Sequence, residues 1–259
     1  MSSVIQINQL QKSYGSHQVL KGIDLNIEAG QVIGYIGPNG AGKSTTVKIL
    51  IGLDGQFEGE VLVKGINLKE DPLAVKKIIG YIPENADLYE VLTPIEFLNL
   101  VGRLHGLSDQ VIESRAKQML NFLGLTELDE RMDTFSKGMR QKVLLVSGLL
   151  HDPEIIFLDE PLSGLDANSV ILVKEIIARL AREGKTIFYC SHMMDVVEKV
   201  SDRIVLINNG NIVADGTFEE LKAQGGASLE QIFSTLTGKT EQAASAEEFM
   251  NAFKNETAS

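Results

Sequence analysis

Residues 31–53 constrain the fold more than any other stretch of this chain. Gln31–Ile36 is a short apolar run ending against a glycine. Gly37-Pro38-Asn39-Gly40-Ala41-Gly42-Lys43-Ser44-Thr45 follows it, and Gly42–Leu53 reads as a helix with Val47, Leu50 and Ile51 on one side. The loop fits G-x-x-x-x-G-K-[ST] in the context that pattern requires, a strand before it and a helix after it. Its glycines let backbone N–H groups turn inward around an anion, because no Cβ obstructs the curve. The helix start adds its positive dipole end. Lys43 supplies a point charge to the outer phosphates of a nucleotide, and the Ser44 hydroxyl is placed to ligate Mg2+. The alternative is a chance match in a flexible loop, which the strand and helix flanks argue against.

The rest of the chain extends this unit. Val4, Ile5 and Ile7, then Val19 and Leu20, then Ile23, Leu25 and Ile27 predict short strands. Gly59–Lys64 and Ile78–Ile82 predict two more. From Thr93 to Leu150 the pattern turns helical, with Leu98, Val101 and Leu104 in one segment and Val111, Arg115, Met119 and Leu123 along another. Asp152-Pro153 ends the next helix. Glu154–Asp159 is an apolar strand, Ser169–Arg182 a helix with Leu172, Ile176 and Leu180 at i, i+4 and i+8, and Lys185–Ser191 a strand. Asp195–Val200 is helical, and Asn209-Gly210 between Ile204–Ile207 and Ile212–Val213 signals a hairpin. Strands alternating with helices predict an α/β core with a parallel sheet.

Composition excludes several classes. With 44% hydrophobic and 23% charged residues the chain is neither disordered nor fibrous, and its one cysteine allows no internal disulfide. A reducing compartment is expected. Lys plus Arg is 24 against Asp plus Glu 35, a net charge of −11, which argues against nucleic acid as the main partner. No signal peptide is expected from Met-Ser-Ser-Val-Ile-Gln-Ile-Asn, and no window reaches the roughly 18 apolar residues of a membrane span. A membrane role would therefore run through a partner.

Ile155-Ile156-Phe157-Leu158-Asp159-Glu160 carries a second chemical signal. A strand buried on both faces cannot hide charges in mid-run, so the acids sit at its carboxyl edge, where α/β proteins bind ligands. Asp159 could hold Mg2+, and Glu160 could polarise a water for attack on a γ-phosphate. Taken alone the pair also reads as an exposed turn before Pro161; beside the phosphate loop the functional reading dominates.

With these motifs in order, residues 3–220 resemble the ATP-binding subunit of an ABC transporter. The resemblance implies a P-loop NTPase core with a parallel sheet, an antiparallel β subdomain and a helical insert. Residues 1–84 and 151–220 would form core and β subdomain, 85–150 the helical signature subdomain, and 221–259 a C-terminal amphipathic tail. Within it, Gly37–Thr45 is the Walker A loop, and Asp159 and Glu160 are the Walker B aspartate and catalytic glutamate. Tyr14 takes the place of an aromatic that stacks on adenine, with an ordinary strand-edge tyrosine as the alternative. Glu84, in Gly-Tyr-Ile-Pro-Glu, stands at the Q-loop position as a Mg2+ and phosphate contact. Phe135-Ser136-Lys137-Gly138-Met139-Arg140-Gln141 matches the signature loop, with Ser136 and Gly138 the phosphate contacts. Ser163-Gly164-Leu165-Asp166 is the D-loop, and His192, after Ser191, is the switch histidine, which by itself would read as a surface histidine. Two positions depart from the family pattern. Glutamate replaces the Q-loop glutamine, and Ser-Lys-Gly-Met replaces Ser-Gly-Gly-Gln. Both resemble the branch that works with separate exporter or permease membrane subunits.

From the residues alone, Ser136 can N-cap a helix carrying Val143, Leu144 and Leu150, and Lys137 and Arg140 add cations near a second anion site. An ordinary helix cap is the plain alternative. Two anion sites far apart in sequence fit the family's answer: a homodimer, or a heterodimer with a similar ATPase subunit, in which each ATP meets one chain's Walker A and the other chain's signature. The expected function is an ATPase subunit using ATP and Mg2+ to drive a transmembrane permease from the inner face of the cell membrane, with cytoplasmic location. The surface around Glu84–Pro94 and the helical insert would meet that partner. The rivals are a soluble ABC-type ATPase, an ATP-binding regulatory subunit with little hydrolysis, and a small-molecule kinase. Leu229–Leu236 and Glu247–Phe253 are amphipathic pieces that would fold against the dimer or a regulator, or stay loosely packed. Cys190 reads as core.

Overall fold

The chain lays down two sheets that share one layer of side chains. The computed structural model describes residues 3–84, 88–191, 193–223, 226 and 228–237. The smaller sheet is antiparallel with order β2-β1-β4-β5, built from β1 (Ser3–Tyr14), β2 (His17–Glu28), β4 (Glu58–Val63) and β5 (Ile66–Asn67). The short runs expected in this region are therefore two continuous strands of 12 residues each. Register shifts absorb the breaks in their alternation, for example between Ile7 and Leu10.

The larger sheet has order β10-β9-β3-β8-β7-β6, from β3 (Val32–Ile36), β6 (Ile79–Ile82), β7 (Ile155–Asp159), β8 (Thr186–Cys190), β9 (Arg203–Asn208) and β10 (Asn211–Gly216). All its pairings are parallel except the β9–β10 hairpin. That hairpin turns on Asn209 and Gly210 with φ of 47° and 79°, the left-handed pair that an Asn-Gly dipeptide permits.

The central strands are buried on both faces, which explains their continuous apolar sequence. Alternate residues feed two cores. Ile33, Tyr35, Phe157, Phe188, Cys190 and Val205 face the antiparallel sheet and α1 (Lys43–Leu50). Ile36, Ile156, Leu158, Ile187, Tyr189 and Leu206 face the other helices. Cys190 is thus core, as expected.

Those helices are α3 (Pro94–Leu104), α4 (Asp109–Phe122), α5 (Lys137–Leu149), α6 (Ala167–Arg182) and α7 (Met194–Val200). The face buried by each differs from the simplest stripe. In α3 it is Phe97, Leu98 and Gly102, while Leu104 is exposed. In α4 it is Ile112, Ala116 and Leu120, one step round from Val111, Arg115 and Met119. In α6 it is Ser169, Val173 and Ile177, with Leu172, Ile176 and Leu180 on its flank. A helix surrounded on several sides buries a wider arc than one stripe, so periodicity alone does not fix its inward direction. Helix α2 (Pro72–Ile78) was not foreseen; its signal is Asp71, whose side chain accepts from Ala74 N, followed by Pro72 at the first turn.

The chain continues into α8 (Phe218–Ala223) and α9 (Leu229–Thr237). Leu221, Leu229 and Ile232 are buried in the same cluster as α5, α6 and α7. This first part of the C-terminal piece therefore packs on the core rather than loosely. The second piece, Glu247–Phe253, lies outside the described residues. No helix among the described residues is long and apolar enough to cross a membrane.

Candidate functional site

The parallel strands end side by side, and the chemical groups sit just beyond their ends. Register sets Tyr35 beside Cys190, Cys190 beside Asp159, and Leu158 beside Ile82. The first residues past these four strands are Gly37, Ser191, Glu160 and Pro83, with Glu84 next. Residues separated by more than a hundred positions thus line one carboxyl edge, the usual ligand side of such a sheet.

The glycine loop turns from β3 into α1. Gly40 and Gly42 have φ of 80° and 111°, conformations that Cβ-bearing residues avoid. A Cβ on Gly37 would stand 2.3 Å from Ile207 O. Gly42 caps α1 without a side chain, so the first N–H groups of the helix have no side-chain acceptor. Lys43 Nζ donates to the loop's own carbonyls, Gly37 O at 2.6 Å and Pro38 O at 3.1 Å. Partial burial lowers the Lys43 pKa, opposed by the nearby carboxylates of Glu160 and Asp159. The Ser44 side chain is exposed. Thr46, by contrast, is buried, its hydroxyl bonded to Gly42 O and Tyr35. Asn39, Gly40, Gly42, Lys43, Ser44 and Thr45 line a surface cavity with His17 and Val19 from the edge of β2.

Tyr14 stands half exposed at the end of β1. Its hydroxyl donates to Asp54 Oδ2 at 2.8 Å, and Lys12 Nζ lies 4.7 Å from its ring centroid. Lys12 is buried and paired with Asp54 at 2.7 Å. Sequence reading missed this Lys12–Asp54 anchor, because the pairing spans 42 residues.

Asp159 and Glu160 follow β7. Burial, then Glu160 and Glu84, push the Asp159 carboxyl up to about 6, against the lowering pull of Lys43 and Lys48. Glu84 is exposed yet close enough to act on Asp159. Three acids therefore share one sheet edge with Lys43. The Asp159 carboxylate has no hydrogen-bond partner among the described residues. A carboxylate held without a side-chain partner among like charges is a donor suited to a hard divalent cation. Glu160 has φ of 48°; its N–H donates to Cys190 O at 2.9 Å, and Ser191 Oγ donates to its Oε2 at 2.8 Å. His192, expected nearby, lies outside the described residues.

Ser136 caps α5, accepting from Met139 N at 3.3 Å. Gly138 lies against Gly164, where a Cβ would come within 2.9 Å of its carbonyl. The two cations expected to add positive potential are already engaged. Lys137 donates to Ser163 Oγ at 2.9 Å, and Arg140 pairs with Glu90 at 3.2 Å. Asp166 spends both carboxylate oxygens capping α6, on Ser169 N and Ser169 Oγ. The start of α5 thus packs on residues 161–164. A largely apolar cavity of about 410 Å3, between α4, α5 and α6, shares no residue with any of these groups.

The ABC transporter family profile matches residues 20–163. This chain belongs to the ABC transporter family. It is the family's ATPase cassette, and its relatives are ATP-binding proteins of that family. The linearmycin resistance ATP-binding protein LnrL of Bacillus subtilis (strain 168) is 35% identical over 240 residues, covering 92% of this chain and 76% of that protein. A solved ATP-binding subunit of an ABC transporter superposes with TM-score 0.85 at 33% identity, over 90% of this chain and 99% of its own. The cassette MJ0796, solved as a dimer in a post-hydrolysis state bound to ADP and Pi, gives TM-score 0.76 at 25% identity, over 82% of this chain and 98% of its own.

Proposed function

We propose that this cassette is the ATP-hydrolysing subunit of an exporter-type ABC transporter, binding Mg-ATP between two protomers to power a transmembrane permease. The observation that carries the reading is the convergence of the glycine loop, Lys43, Asp159, Glu160 and Glu84 on one sheet edge. Gly37, Pro38, Asn39, Gly40, Ala41, Gly42 and Thr45 cradle the phosphates through backbone N–H groups. Lys43 exchanges its loop carbonyls for phosphate oxygens. Tyr14, its hydroxyl tethered by Asp54, offers a ring face to adenine. Ser44 and Asp159, with Glu84, hold Mg2+, which neutralises charge on the outer phosphates when bound.

Glu160 accepts a proton from the attacking water as its oxygen bonds to the γ-phosphorus and the bond to the β-phosphate oxygen breaks, giving ADP and phosphate. His192 senses the γ-phosphate. Ser136 and Gly138 of one protomer meet the nucleotide on the other, and Asp166 holds the D-loop end between them. Ser136 caps its own α5, whose Lys137, Gly138 and Gln141 meet residues 161–164, and this supports the division of labour. The pair is a homodimer or a heterodimer with a similar ATPase subunit. The domain division at 84, 150 and 220 follows the same reading. The acidic charge of −11 disfavours nucleic acid, and the cassette sits peripherally on the cytoplasmic face of the membrane through its partner.

The test is Glu160→Gln. Turnover should fall at least about 100-fold, the scale of lost general-base catalysis, while ATP affinity stays within a few-fold. The protein should then run as an ATP-dependent dimer in light scattering. Turnover near that of the parent protein would remove Glu160 from this role, and a monomer at saturating Mg-ATP would remove the shared site.

A further inference from the structure

We propose that Ser191 is a positioning residue for hydrolysis, holding the Glu160 carboxylate in the orientation that receives the water proton. The inference rests on the reading of Glu160 as the general base. Ser191 is the first residue past β8, the strand between the glycine-loop strand β3 and the acid-bearing strand β7. Its side chain is buried, only 1% exposed. Among the described residues the hydroxyl bonds to Met193 N at 3.1 Å and Glu160 Oε2 at 2.8 Å. A backbone N–H can only donate, so the hydroxyl accepts from Met193 and its single proton points at the carboxylate. Direction and partner are therefore both fixed.

The main chain of Glu160 is held by the same stretch. Its φ of 48° lies in the left-handed region, which costs energy in a residue other than glycine and persists only where the surroundings determine it. The Glu160 N–H to Cys190 O bond supplies one such restraint, and the Ser191 hydroxyl restrains the far end of the same residue. Holding Oε2 restrains the turn of the carboxylate and so the place where Oε1 is presented. Rotation of an untethered carboxylate about its last torsion is soft, and misplacement of a reacting group by about 1 Å can cost 10²-fold in rate.

Steady-state ATPase and equilibrium ATP binding on the full chain test this. Ser191→Ala should lower kcat roughly 10- to 100-fold with ATP Kd within twofold. Ser191→Cys, which keeps the size but donates weakly, should fall between Ser and Ala. The Ser191 oxygen also holds Met193 N just before α7, and a purely structural role would move ATP Kd or the urea midpoint along with kcat. Equal kcat in all three proteins, or a kcat loss matched by the loss of ATP affinity or stability, overturns the proposal. Glu160→Gln measured alongside separates the two claims. Turnover surviving Glu160→Gln defeats the base assignment itself. An inactive Glu160→Gln beside a fully active Ser191→Ala leaves the base in place and defeats only the role of Ser191.

Discussion

Asp159 is held in a form that costs the nucleotide-free protein stability, and Asp159→Asn should release it. Burial and the neighbouring charges of Glu160 and Glu84 raise this carboxyl from 3.8 to about 6. The folded state therefore keeps its proton longer than the unfolded chain does. The stabilisation from that bound proton is complete below about pH 4 and is lost as pH rises through about 6. The interval between the two values corresponds to at most ~3 kcal/mol at 1.36 kcal/mol per pH unit. The site is open to solvent, so screening reduces the expectation to about 1–2 kcal/mol. Asparagine does not titrate. In urea unfolding without nucleotide, Asp159→Asn should gain about 1–2 kcal/mol over the parent between pH 4 and 7, then keep a constant lead. It should also lose Mg2+-dependent ATP binding. Glu84→Gln, which removes one of the raising charges, should shift the parent's pH dependence toward lower pH. Parallel stability profiles for the parent and Asp159→Asn across this range would show that Asp159 is not perturbed as argued.

Two further outcomes concern the supports of the site. Gly80→Ala places a Cβ 2.1 Å from Gly148 O, backbone against backbone where β6 meets α5, and should cost about 3 kcal/mol or more in urea unfolding; a loss under about 1 kcal/mol would mean the helix moves freely off the sheet. Asp54→Ala should cost about 2–4 kcal/mol by stranding the buried Lys12, and Lys12→Met with Asp54→Leu should recover much of it. Burial alone would raise the Asp54 carboxyl, but hydrogen bonds from Lys12, Tyr14 and Gln56 outweigh it and hold the group below its ordinary value. This contribution is therefore present above about pH 4 and disappears as pH falls through the lower folded-state value. A double variant as unstable as Asp54→Ala would refute the buried-pair account.

What the sequence determined by itself was local and chemical. The glycine loop announced its strand and helix, because Gly40 and Gly42 must adopt backbone angles that other residues avoid. The Asn209-Gly210 turn and the apolar run into Asp159 and Glu160 were legible for the same reason: short-range sterics and burial act on neighbouring residues. The tertiary structure decided what depends on register and on which side of an element faces inward. Only sheet order sets Cys190 between Tyr35 and Asp159, and so brings Ser191 to Glu160. Only packing shows that Lys137 and Arg140 are taken by Ser163 and Glu90, that Asp54 tethers Tyr14, and that α4 turns Ile112 rather than Val111 inward. Such partners lie tens of residues apart, and their pairing comes from the three-dimensional course of the chain, which no local spacing records.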